Sequence, residues 1–350
     1  MTRALARRSI GQKYRGQVKR VRRRSIASLL GPYSWSVDLG VQIEPQFGFS
    51  YGEMLAVARE AERTGLRAVW LSDHLFLNRD SGATPCLEAW TALAALARDT
   101  STIRLGTMVA CQSYRNPALL AKIAAGVDHM SGGRLEFGIG AGWKELEYKA
   151  YGFDFPPPAT RVDQLVETLE ICTRMWNEER ATFVGKHYRV EDALCAPKPL
   201  QHPLPIWIGG RRPRILRIAA RWAQAFNWLP EGGFPTPEQV RGGMRDIDEA
   251  CQAMGRDPTT LRRSAFLYAV IGEDAATAND VVAQLAAKAK MTPAEWRKAR
   301  PGAMVGSPEQ VAARLREHAS AGAEDANIMF PYGHDLAMTR LLGERVAAAV

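Results

Sequence analysis

"IRLGTMVACQSYRNPALLAKIAAGVDHMSGGRLEFGIGAGW", residues 103–143, reads as a strand, a helix and a second strand. Two short β-rich runs, 103–109 and 134–140, flank a longer helical pattern. Such a unit joins two parallel strands by a crossover. The same rhythm runs outward in both directions, with further β-rich runs at 37–43, 67–72, 205–209, 223–229, 264–271 and 326–330. Helical patterns lie between them. One, "YGEMLAVAREAERTG" (51–65), puts Met54, Leu55, Ala58 and Ala61 on one face and stops at Gly65. Eight strand–helix units predict an α/β fold, a closed (β/α)8 TIM barrel. Two stretches break the rhythm: 180–204, a hairpin followed by a Pro-rich return, and 288–305, an irregular insert. Both are expected to decorate the C-terminal, substrate face of the barrel or to serve an oligomer interface.

The chain has 350 residues, of which 46% are hydrophobic, enough for one large core. No apolar run approaches the ~18 residues of a membrane span. The five cysteines are scattered without metal-ligand or redox spacing, as expected of a reducing, cytoplasmic setting. The net charge of +9 is concentrated at one end: residues 1–37 hold ten Lys or Arg and no acid, leaving 36 basic against 37 acidic residues beyond. Residues 1–36 are therefore expected to be a basic, disordered arm, and 37–350 the barrel. With the body electrically balanced, neither nucleic acid nor membrane is an expected partner.

In a barrel the C-terminal strand ends carry the chemistry. There the sequence places Glu44 and Gln46, then Asp73 and His74 of "VWLSDHLF" (69–76), then 107–117, "GAGW" (140–143) and "GGRRPR" (209–214). Asp73 and His74 at a strand end read either as a local cap and hydrogen bond or as site residues; their place on the rim favours the second. In "IWIGGRRPRILRIAARW" (206–222), Gly209 and Gly210 let the backbone approach a ligand, and the following helix N-terminus offers amides to a phosphate. Arg211, Arg212 and Arg214 would add charge for further anionic groups. The bland reading is a tight turn with a solvated basic helix start. "FGIGAGW" lacks the third glycine of a dinucleotide fingerprint, which excludes a Rossmann reading. No Ser-His-Asp set or metal-ligand cluster competes.

Together "VWLSDHLF", "LEAWTALAALA", the 103–143 stretch and "PIWIGGRRPRILRIAARWAQAFNW" resemble the luciferase-like monooxygenase superfamily, in particular its branch of coenzyme F420-dependent oxidoreductases. The resemblance covers about residues 37–335. It implies coenzyme F420, or alternatively FMN, held by Asp73, His74, Thr107, Met108, Val109, Gly140, Ala141, Gly142, Gly209, Gly210 and Arg211. It also implies a bulged third strand with a non-prolyl cis peptide at Met108–Val109. His74 is the expected catalytic acid or base, and Glu44 the second catalytic candidate. The sugar-phosphate dehydrogenases of this branch have a catalytic Glu where this chain has Trp143, and an aromatic where it has Leu77 and Asn78, so glucose 6-phosphate is not the expected substrate. The sixth-strand motif of the resembled branch usually includes an acidic residue where Gln224 stands. Gln46, Phe47, Trp143 and Trp228, with Phe49, instead predict an apolar, aromatic-lined substrate pocket. The expected activity is hydride transfer between the deazaflavin and a small apolar or aromatic substrate. The alternatives are an FMN-dependent monooxygenase served by a separate reductase and a non-catalytic flavin-binding protein. A homodimer is the expected assembly.

Overall fold

The computed structural model describes residues 37–350; the basic arm lies outside the described residues. Eight parallel strands close on themselves: β1 (Asp38–Ile43), β2 (Ala68–Leu71), β3 (Arg104–Thr107), β4 (Leu135–Gly140), β5 (Ile206–Gly209), β6 (Ala225–Trp228), β7 (Arg262–Ile271) and β8 (Asp325–Met329). Closure is made where β8 pairs with β1, Asp325 opposite Asp38. Each predicted β-rich run is a barrel strand, shifted by no more than two residues except in the third, which is interrupted. The predicted (β/α)8 barrel is the observed fold.

The interruption is a bulge. Gly106 faces Glu136 on β4, whereas Ala110 faces Ile139, so one side has gained a residue between them. Within that step the Met108–Val109 peptide is cis, as expected from the resemblance.

The barrel interior decides where a ligand can go. Trp70 and Trp207 meet edge to face inside it, with centroids 4.6 Å apart. On the strands either side of Trp70 two positions carry no side chain: a methyl at Gly106 would sit 2.7 Å from the Trp70 ring, and one at Gly40 3.0 Å from its Nε1. Beneath, Glu136 accepts hydrogen bonds from Trp207 Nε1 (2.6 Å) and Arg67 (2.7 Å) and pairs with Arg104. The lower half is therefore filled, and open volume remains only toward the C-terminal ends. A polar layer lies above the tryptophans: Asn327 donates to Gln42 (2.8 Å), Gln42 to Glu44 (2.8 Å), and Asn227 to Ser264 (2.8 Å).

The helices cover the outside, several opened by capping boxes such as Ser50 with Glu53 and Ser307 with Gln310. The 180–204 insert is the expected hairpin, Arg180–Val184 with Arg189–Leu194, followed by two cis X-Pro bonds. It packs along the helix Pro158–Asn177, where Glu167 accepts the amides of Lys186, His187 and Tyr188. The 288–305 insert is more regular than its sequence reads, because Thr292 and Glu295 form a capping box that starts a helix at Pro293–Lys298. Its end continues as Met304–Gly306, paired with the top of β7.

His318, on the helix Pro308–Ser320, is 1% exposed and neither ring nitrogen has a partner. Burial, then the Arg314 charge, lowers its imidazole from 6.5 to about 4. A base whose folded value is depressed contributes stability that is present above pH 6.5 and lost as pH falls through about 4. His318→Leu is expected to remove that loss, worth about 3 kcal/mol across the window. Denaturant titrations at pH 7.5 and pH 4 check it; equal acid sensitivity of both proteins would refute it.

Candidate functional site

Above the tryptophans a cavity of about 480 Å³ opens at the C-terminal end of the barrel. It is lined by thirteen of the sequence-predicted residues: Glu44, Phe47, Asp73, His74, Met108, Val109, Gly140, Ala141, Gly142, Trp143, Gly209, Gly210 and Arg211. The bulge makes its floor. A methyl at Gly140 would meet Val109 Cγ2 at 2.7 Å, so the Val109 side chain lies directly on β4 in the space that glycine leaves.

Three predicted residues do not reach the cavity. Thr107 points into the strand pair, donating to the Gly138 carbonyl at 2.6 Å. Gln46 is buried behind Glu44, where it donates to that carboxylate and accepts from Ser72 at 2.8 Å. Trp228 faces outward, because side chains alternate along β6: Asn227 points to the cavity, and Trp228 packs against Gly243 of the helix Pro237–Ala253. Phe49 is likewise buried, edge-on to Tyr332 at 4.8 Å. Gln224 lies at the opposite end of its strand and accepts from the Ile206 amide at 2.8 Å.

Asp73 and His74 divide the two readings of "SDH" between them. Asp73 is 4% exposed and forms a bidentate pair with Arg115 at 2.7 and 2.8 Å; the same carboxylate accepts the Cys111 amide at 3.0 Å. It thus ties β2 to the far side of the bulge. Burial pushes its carboxyl up against the opposing pull of the guanidinium. Arg115 also pairs with Glu88, the N-cap of the helix Ala89–Asp99.

His74 is half-buried, with its imidazole edge-on to Trp143 at 5.7 Å. Its Nδ1 lies 3.0 Å from Glu147 on the short helix Glu145–Tyr151. That residue escaped the sequence reading, although "GWKELEY" puts it one helical turn beyond Trp143. Burial alone would raise the Glu147 carboxyl; hydrogen bonds from His74 and Tyr114 and the Leu75 amide, with the attraction of the imidazole, hold it down at about 2. Tyr114, Lys144, Asn227, Leu229, Phe266 and Met329 also line the cavity and were missed. Phe266 and Met329 sit on β7 and β8, whose C-terminal ends carry no polar motif.

The "GGRRPR" loop has its required glycine: Gly210 has φ 147°, and a methyl there would lie 2.7 Å from Ile215. The helix Pro213–Trp222 begins at Arg212 with no side chain capping its amides. The arginines are less available than their sequence implies. Only Arg211 lines the cavity; it and Arg212 share Glu231, and Arg214 pairs with Asp163 at 2.5 Å.

A family model of luciferase-like monooxygenases matches residues 33–325. Among curated relatives, an F420-dependent hydroxymycolic acid dehydrogenase of Mycobacterium tuberculosis is 32% identical over 240 residues, 66% of this chain and 62% of its own length. An F420-dependent glucose-6-phosphate dehydrogenase of Kineococcus radiotolerans is 31% identical over 232 residues, 66% of this chain and 67% of its own. Thus the aligned part of this chain spans less than two thirds of the mycobacterial relative. In fold, the chain is similar to an F420-dependent secondary alcohol dehydrogenase solved with an F420–acetone adduct (TM-score 0.75, 18% identity, 90% of this chain and 99% of that one). It is equally similar to an EDTA monooxygenase from Chelativorans (TM-score 0.75, 17% identity, 89% and 93%). At those identities the likeness shows the fold alone. With the family match spanning the barrel and its strand-end motifs, the chain belongs to the luciferase-like monooxygenase family.

Proposed function

We propose that this protein is a coenzyme F420-dependent oxidoreductase acting on a small apolar or aromatic substrate. One observation carries the reading: His74 presents its imidazole to a cavity floored by the Met108–Val109 bulge, with Nε2 bonded to no protein group among the described residues. The curated relatives, both F420-dependent dehydrogenases, support the choice of cofactor.

The residues present fit a deazaflavin. Gly140 and Gly209 leave room for the Val109 side chain, and that side chain on the bulge would back a flat ring; Gly210, Arg211 and the start of the helix Pro213–Trp222 would hold a phosphate. When bound, the cofactor supplies or accepts the hydride. Phe47, Trp143, Leu229, Phe266 and Met329 would enclose an apolar substrate body beside the cofactor and exclude water from it. His74 exchanges a proton with the substrate oxygen or nitrogen as the hydride moves. Glu44, its carboxylate fixed by Gln42 and Gln46, orients the polar end of the substrate.

No helix among the described residues is long and apolar enough to cross a membrane, and their five cysteines are unpaired, in keeping with a cytoplasmic protein. A homodimer fits an apolar groove lined by Trp90, Ala94, Ile123 and Met130 on the helices Ala89–Asp99 and Pro117–Ser131.

Two outcomes are expected. Fluorescence titration at moderate salt gives tighter binding of F420 than of FMN, because Arg211 and Arg212 outnumber the single Glu231 beside the phosphate loop and the F420 tail is acidic. Equal or tighter FMN binding would transfer the assignment to a flavin monooxygenase served by a separate reductase. His74→Ala slows single-turnover hydride transfer ~10²–10⁴-fold with little change in Tm. A stability loss of ~1 kcal/mol with normal turnover would reduce His74 to a structural residue.

A further inference from the structure

We infer that Glu147 is the positioning residue for His74, holding the imidazole proton on Nδ1 and so leaving Nε2 as the nitrogen that meets substrate. The inference rests on His74 being the proton-exchanging group.

Five donors surround the Glu147 carboxylate. They are His74 Nδ1 (3.0 Å), the amides of Leu75 (2.8 Å) and Phe76 (3.2 Å), the Tyr114 hydroxyl (2.7 Å) and Lys144 Nζ (3.1 Å). The carboxylate itself is fully buried. An ionised carboxylate only accepts, and four of its neighbours can only donate to it or do so by preference. The fifth, His74 Nδ1, can face it favourably only with its proton in place; a lone pair there would oppose a buried negative charge. The neutral ring is therefore the Nδ1–H tautomer, with the Nε2 lone pair free to accept a proton. When Nε2 does take a proton, the same carboxylate stabilises the cation.

Position is fixed as firmly as the tautomer. The two amides that Glu147 accepts follow His74 directly, and Lys144 also donates to the Phe76 carbonyl. On the other flank, Cys86 Sγ donates to the His74 carbonyl at 3.3 Å. The imidazole is thus held from its Nδ1 edge and through its own backbone, while its Nε2 edge remains in the cavity.

The test begins with the wild-type protein, without cofactor or substrate. Nitrogen-15 NMR of the histidine rings, with His74 assigned by its loss in His74→Ala, is expected to show a protonated Nδ1 and an unprotonated Nε2 in the neutral ring. A ring carrying its proton on Nε2 would overturn the inference. In Glu147→Gln the amide can donate to Nδ1, and the proton is expected to move to Nε2. With F420 and a turned-over substrate, that variant should lose ~10²–10⁴-fold in kcat while KM stays within about threefold. An unchanged tautomer or unchanged kcat would also overturn it. If the variant fails to fold, the wild-type ring spectrum alone decides. Should His74→Ala turn over normally while wild-type His74 keeps its proton on Nδ1, the proton-exchange reading fails and the hydrogen-bond assignment stands.

Discussion

Two tryptophans fill the lower barrel, and most of the site follows from the space they need. Trp70, edge-on to Trp207, fits only because Gly40 and Gly106 face it without side chains. The Trp207 indole is then satisfied by Glu136, whose charge is in turn met by Arg67 and Arg104. A filled base turns a closed barrel into a cup, open only where the strands end. Large and small residues alternating across an interior usually serve packing density. Here the same alternation also sets the depth at which a ligand ring can rest.

The bulge above the tryptophans would be free to shift were it not tied down. Asp73 does this, reaching from the end of β2 to the Cys111 amide beyond the bulge, with Arg115 meeting its charge on both oxygens. A buried carboxylate without such a partner would carry a large desolvation penalty, so the pair is kept together by the cost of separating it. Glu147 works by the same logic on the neighbouring residue, His74: five donors surround one buried charge, and that charge orients the imidazole beside it. Adjacent residues in "SDH" therefore have different duties. Asp73 shapes the floor, and His74 faces the cavity.

The basic loop after β5 shows how tertiary pairing changes the meaning of a motif. Three arginines in four positions read as a strong anion site. In the fold Arg211 and Arg212 share Glu231, and Arg214 pairs with Asp163, 51 residues away, so each arginine has an acidic partner and only Arg211 lines the cavity. The backbone part of the reading survives, since Gly210 and the uncapped helix start are local properties of the chain.

That contrast marks the boundary between what the sequence determined and what the tertiary structure decided. Hydrophobic runs of strand length alternating with helical periods specify eight strand–helix units, and the chirality and pairing of parallel strands leave a closed barrel as their arrangement. The sites at strand ends follow from the same order, so Glu44, His74, Gly140 and Gly209 were legible as rim residues. Side-chain direction was not. Trp228 and Asn227 are neighbours, and only the phase of β6 against its helix sends the indole outward and the amide in. Glu147 in "KELE" looks like any acidic residue of a solvated helix, because the donors that give it meaning come from residues 74–76, Tyr114 and Lys144 and meet only in the fold. Composition and period are properties of a segment, whereas a buried charge is defined by everything that surrounds it.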